Sequence, residues 1–145
     1  MSKPTFDSLT PEQVNTLIAE KVMGWHREFF RYGEEPEHVS PYESWVDSSG
    51  AEQQHVKMTI YADCQSQVFS PYHSLDDCWK AEEKIPEWDY ETSWTETLNI
   101  KSYCFHLGSM IGGSTEDGYD GAMSLIHATA KEKCEAMLRA IGDVE

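Results

Sequence analysis

The sequence predicts an α+β fold, a three-layer α/β/α sandwich with a mainly antiparallel sheet. Three observations predict it. Helical periodicity with start and stop signals occupies both ends of the chain and one central stretch. Segments of period two lie between these helices, joined by connections short enough to favour antiparallel pairing. The stretch Leu98 to His106 carries apolar groups on both sides, as a strand covered on both faces does, and so calls for helices on each side of the sheet.

The first element is specified by its ends. Thr10 is placed as N-cap, Pro11 at the first helical position and Gln13 three residues on to close a capping box, with Leu9 and Val14 as a hydrophobic staple. Val14, Leu17, Ile18 and Val22 make one apolar stripe and Gly24 a stop, so the spacing predicts a helix over about Pro11 to Met23. After Trp25 comes a segment rich in Tyr, Glu and Pro that reads as a loop, including Gly33 to Glu37. A short strand is expected over Tyr42 to Val46. A firmer one runs over Gln54 to Asp63, with Val56, Met58 and Ile60 on one face. Ser74 caps a second helix with Asp76 and Asp77 in its first turn and Pro86 at its end. Leu75, Cys78, Trp79 and Ile85 are assigned to its inner face. Trp88, Tyr90, Thr92 and Trp94 alternate with Asp89, Glu91 and Ser93 as a strand with one aromatic and one acidic face. A glycine-rich loop over Gly108 to Gly121 precedes a closing helix over about Ala122 to Ile141, with Gly142 beyond it.

The chain's 145 residues make one domain, with 1–9 as a flexible N-terminal lead; a body of that size buries roughly 68–70% of its unfolded surface. Aromatics at 12% are too many for a disordered acidic tail. The 11 Lys and Arg against 26 Asp and Glu leave a net charge of −15, a field that repels phosphate backbones and anionic lipid headgroups. Direct nucleic-acid or membrane binding is therefore not expected. No run reaches the roughly 18 apolar residues of a membrane span, and Met1 to Asp7 lacks the apolar core of a signal peptide, so a cytoplasmic protein is expected. Cys64, Cys78, Cys104 and Cys134 form no C-x-x-C pair and read as buried reduced thiols.

Three segments carry a family resemblance. Ile18-Ala19-Glu20-Lys21-Val22-Met23-Gly24-Trp25, Trp79 followed by Glu83-Lys84, and Ala130 to Ala140 with Cys134 in place together resemble small bacteriophage proteins with the phage ABA sandwich domain. The resemblance implies a helix–sheet–helix sandwich of phage or prophage origin, at work in the cytoplasm of an infected bacterium. It implies little about activity, because fold alone does not fix function.

Chemistry-bearing residues are sparse. His73, Asp76, Asp77 and Cys78 cluster in sequence, but Cys78 falls on an inner stripe beside Trp79, where a packed cysteine outweighs a nucleophile. The six histidines never take H-E-x-x-H or H-x-H spacing, so no metal and no cofactor is expected. The loop Gly112 to Asp117 lacks the Lys of a P-loop and carries two acids. Trp25, Trp79 and Phe105 are assigned to the core. The candidate binding residues are Arg27, Arg31 and Tyr32, two cations interleaved with aromatics that could hold a nucleotide's phosphate and base, and the aromatic face of Trp88, Tyr90 and Trp94. The expected function is that of a non-catalytic binding protein, a counter-defence factor that blocks a host immune protein or sequesters its small nucleotide signal. An acidic DNA mimic and an unrecognised small enzyme are the alternatives, and homo-oligomerisation is left open.

Overall fold

The computed structural model describes residues 3–30, 42–58, 67–86, 100–111 and 128–144. Among them the chain is mixed helix and strand, with an antiparallel three-stranded sheet. A short 3₁₀ turn at Phe6–Ser8 leads into helix α1, Pro11–Leu17. Its capping box closes as expected: the Thr10 side chain accepts from the Gln13 backbone N–H at 3.1 Å, and the Thr10 N–H donates to Gln13 Oε1 at 2.8 Å. Ile18–Val22 continues α1 as a π-helical turn, in which the Met23 N–H donates to the Ile18 carbonyl. Gly24, at φ 74°, reverses the chain there. The wide turn drops Trp25 into the core, edge-on to Phe69 at 4.9 Å. The segment Ile18 to Trp25 is thus where the helix stops.

Strand β1, His26–Phe30, follows directly, where the sequence reads as a loop. Its side chains are largely exposed, so it carries no alternation of its own. What makes it a strand is pairing, His26 with Val46 through Phe30 with Tyr42, against β2, Tyr42–Val46. Strand β3, Glu52–His55, pairs antiparallel with β2 and bends away after His55, two residues earlier in the chain than the Gln54 to Asp63 reading begins and far shorter over the residues described. Residues 59–66 of that reading lie outside the described residues.

Helix α2, Leu75–Glu82, starts where expected, the Ser74 hydroxyl accepting from the Asp77 N–H at 3.2 Å. The largest departure is α3, Ile100–Ile111, a helix where apolar alternation predicts a strand. The doubly covered strand that argued for a helical layer on each sheet face is therefore not a strand, and the α+β class stands without that argument. Gly108 lies inside α3 rather than opening a loop. Helix α4, Ala130–Ile141, begins later than expected because Thr129 caps it, accepting from the Glu132 N–H while its own N–H donates to Glu132 Oε1.

One core joins these pieces. Val14 and Ile18 from the first helix, Trp45 from β2, Cys78 and Ala81 from α2, Tyr103 and Leu107 from α3, and Met137 and Leu138 from α4 are all buried in a single cluster. Cys78 and Cys134 are buried free thiols and Cys104 a half-buried one. Gly142 closes α4 at φ 91°, its N–H returning to the Leu138 carbonyl. Gly142→Ala should cost about 1–2 kcal/mol, the steric cost of the left-handed conformation for a residue with a Cβ. A chemical-denaturation midpoint unchanged by the substitution would contradict that assignment.

Candidate binding site

Asp77 is the pivot of the region around α2. Its buried carboxylate accepts from the Ser70 N–H at 2.8 Å and from Gln54 Nε2 at 3.2 Å, and it lies 3.4 Å from Lys80 Nζ. One side chain thus ties the turn before α2 to β3 and to the helix itself. Asn15 holds the same turn from α1, donating to Ser70 Oγ and accepting from the Tyr72 N–H at 2.9 Å. These fully used polar groups make α2 a rigid platform.

On that platform, Cys78 points inward and donates its S–H to the Pro71 carbonyl at 3.0 Å. Its neighbour Cys134 has its thiol pushed well up, first by burial and then by the adjacent Cys78 sulfur, so Cys134 offers no ready thiolate. His73 is exposed and meets Ser70 Oγ through Nδ1 at 3.1 Å rather than meeting Cys78. The sequence cluster His73 to Cys78 is therefore split by the helix into an outer and an inner part. Among the described residues no group of three His, Cys, Asp or Glu side chains is placed to hold a metal ion.

Of the six candidate binding residues, only Arg27 falls among the described residues; Arg31, Tyr32, Trp88, Tyr90 and Trp94 lie outside them. Arg27 is engaged on three sides. Its Nη2 donates to Thr16 Oγ1, its Nη1 lies 3.5 Å from Glu43 Oε1, and its guanidinium sits 5.0 Å over the Trp45 ring. The surrounding cleft, about 370 Å³, adds Lys57 but also Glu12. Two cations face two carboxylates, so the cleft has no excess charge for a phosphate.

A larger cleft of about 480 Å³ lies between the β2–β3 turn and the C-terminal end of α2. Lys80 and Lys84 line it together with Asp47 and Glu83, again in balance, and the carbonyl end of a helix adds partial negative charge. Lys80 is already spent on Gln54 Oε1 at 3.0 Å and on Asp77. Asp47 organises the turn, accepting from Ser49 Oγ and Gln53 Nε2, both at 2.6 Å, and from the Ser49 and Ala51 N–H groups. These bonds, the Ser49 hydroxyl first, hold its carboxyl below the usual range. A depressed folded-state value means stabilisation that is complete above the unfolded carboxyl's pKa, about 3.9, and lost as pH falls through the folded one. Asp47→Asn should accordingly show a smaller drop in melting temperature than the natural protein between about pH 5 and about pH 3, and parallel pH profiles would refute the role.

The chain matches no family model, no curated protein and no solved structure.

What the geometry of these clefts leaves unused is the outer face of α2. Trp79, assigned to the core by sequence, is 55% exposed, and Leu75, one turn earlier on the same side, is 43% exposed. The buried residues of α2 are Asp77, Cys78 and Ala81, which point away from Leu75 and Trp79. The signal was present: Leu75 and Trp79 are flanked by Asp76 and Glu83, which a core-facing stripe would not tolerate. Phe105, also assigned to the core, is 39% exposed. Trp25 is buried as expected.

Proposed function

We propose that this chain is a non-catalytic binding protein of phage or prophage origin, a counter-defence factor that occupies a positively charged host protein. The phage setting rests on the resemblance of Ile18 to Trp25 and the two later segments. The observation that carries the binding reading is the exposure of Trp79 beside Leu75 on a helix that Asp77 anchors to the turn before it and to β3. A large amphipathic ring held out on a rigid helix is the kind of anchor protein interfaces use, and a net charge of −15 favours encounter with a basic partner.

The nucleotide-sequestering form finds less support. The cleft around Arg27 and the cleft between Asp47 and Lys84 balance their cations with carboxylates, and Arg27 is held by Thr16, Glu43 and Trp45. The test is retention. Immobilised protein exposed to bacterial lysate and washed across a salt series should keep one defined basic protein that leaves as salt rises. Recovery of a small nucleotide alone after heat release would overturn the protein-partner reading. A retained nucleic-acid-binding protein that added DNA displaces would replace it with the DNA-mimic reading, and steady turnover of a supplied substrate would end every non-catalytic one.

A further inference from the structure

The binding reading says that a partner exists; the shape and charge of α2 say where it docks and of what kind it is. Leu75 and Trp79 stand four residues apart, so their side chains lie one above the other on the helix surface. Asp76 and Glu83, both exposed, border them on one side, and neither forms an ion pair among the described residues. Two of the nearby cations are occupied elsewhere, and a third, Lys84, lines the cleft that holds Asp47. Lys80 is drawn toward Gln54 and Asp77, while Glu82 pairs with Lys133 across to α4. The result is an apolar pair with an acidic flank that forms no ion pair among the described residues.

We propose that this face, Leu75 and Trp79 with Asp76 and Glu83, docks a basic amphipathic helical segment of another protein. The partner's apolar stripe covers Trp79 and Leu75, and its Lys or Arg residues meet Asp76 and Glu83. This rests on the binding reading above and adds the site and the partner's chemistry. A second copy of the chain is the wrong occupant, because each copy would bring the same acidic flank and a further −15 of charge to the contact. An acidic segment is disfavoured for the same reason. A purely basic, non-amphipathic segment would feel the long-range field without filling the space over Trp79.

The experiment uses the full chain and three synthetic helical peptides: one basic and amphipathic with Leu and Lys, one in which Glu replaces each Lys, and one in which Ser replaces each Leu. Binding is measured by calorimetry at about 50 and about 500 mM salt. The basic amphipathic peptide should bind and the acidic one should not. Trp79→Ala should weaken the former roughly thirtyfold, as loss of a buried aromatic anchor does, with an unchanged melting temperature because the ring is exposed. Trp79→Tyr should recover most of the affinity. Asp76→Asn with Glu83→Gln should weaken binding several-fold at low salt and flatten its salt dependence. The Ser-containing peptide should bind the natural protein and Trp79→Ala alike. Equal affinity of the basic amphipathic peptide for the natural protein and for Trp79→Ala would overturn the proposal, as would equal binding of the acidic peptide. Concentration-dependent dimerisation abolished by Trp79→Ala would overturn it in favour of a second copy. A lysate partner held equally well by Trp79→Ala would remove this face while leaving the binding reading intact; no retained partner at low salt would remove the binding reading itself.

Discussion

Trp45→Ala should lower the stability of the fold by about 3–5 kcal/mol, a large part of the roughly 5–15 kcal/mol that holds a domain together. Trp45 is 1% exposed, in the central strand of the described sheet, and belongs to the cluster that joins that sheet to the four described helices. Truncation removes its transfer free energy and leaves a cavity bounded by elements that cannot all close in together. It also takes away the ring under Arg27. That second loss is the smaller, because the ion pair of a half-exposed Arg27 with Glu43 is worth only about 0–1 kcal/mol. Arg27→Ala should thus be mild where Trp45→Ala is severe, and Trp45→Phe should fall between them. Urea denaturation followed by far-UV circular dichroism checks the order, and equal effects of Trp45→Ala and Arg27→Ala would refute the placement of the core.

The second large effect concerns the ion pair between α2 and α4. Lys133 is 3% exposed, and its Nζ lies 2.8 Å from Glu82 Oε1. Glu82 keeps some contact with water, whereas the ammonium has little. Glu82→Gln should therefore cost about 3 kcal/mol, at the lower end for stranding one member of a buried pair. Replacing both, Glu82→Leu with Lys133→Met, should restore stability to within about 1 kcal/mol, since an apolar pair of similar volume pays no desolvation penalty. Because the pair is shielded, the loss in Glu82→Gln should persist at high salt, unlike that of a surface pair. Full rescue by salt would contradict the burial. The same carboxylate acts on Tyr103 of α3, whose phenol is pushed far up first by burial and then by the Glu82 charge, and so stays protonated.

How far the sequence could be read depended on whether the deciding forces were local. The N-caps of α1 and α2 were legible because Thr10 with Gln13, and Ser74 with Asp77, act within three residues. The start of α4 at Ala130 rests on the same kind of signal, Thr129 with Glu132, which the apolar stripe running back to Ala122 obscured. Strand β1 was hidden because its side chains stay in water and its structure comes from pairing with β2, a contact no local pattern records. The stretch Leu98 to His106 was ambiguous in kind. Leu98, Ile100 and Cys104 fit alternation, yet Ile100, Tyr103, Cys104 and Leu107 fit helical spacing equally well. Burial of Tyr103 and Leu107 on one side of α3, packed along α4, decides between them. Trp79 was misplaced by its residue type, since large aromatics are usually inside, although its acidic neighbours pointed outward. The cleft between Asp47 and Lys84 joins residues nearly forty positions apart and had no signature along the chain. The aromatic face of Trp88, Tyr90 and Trp94 lies outside the described residues.

The central claim is that Trp79 on the outer face of α2 is where a partner is held. The most direct measurement is ¹⁹F NMR of protein in which the five tryptophans carry 5-fluorotryptophan, each resonance assigned by a Trp→Phe substitution. On addition of the partner retained from lysate, the Trp79 resonance should shift or broaden first and most, while that of buried Trp45 stays in place. A partner that binds and leaves the Trp79 resonance unmoved would contradict the account.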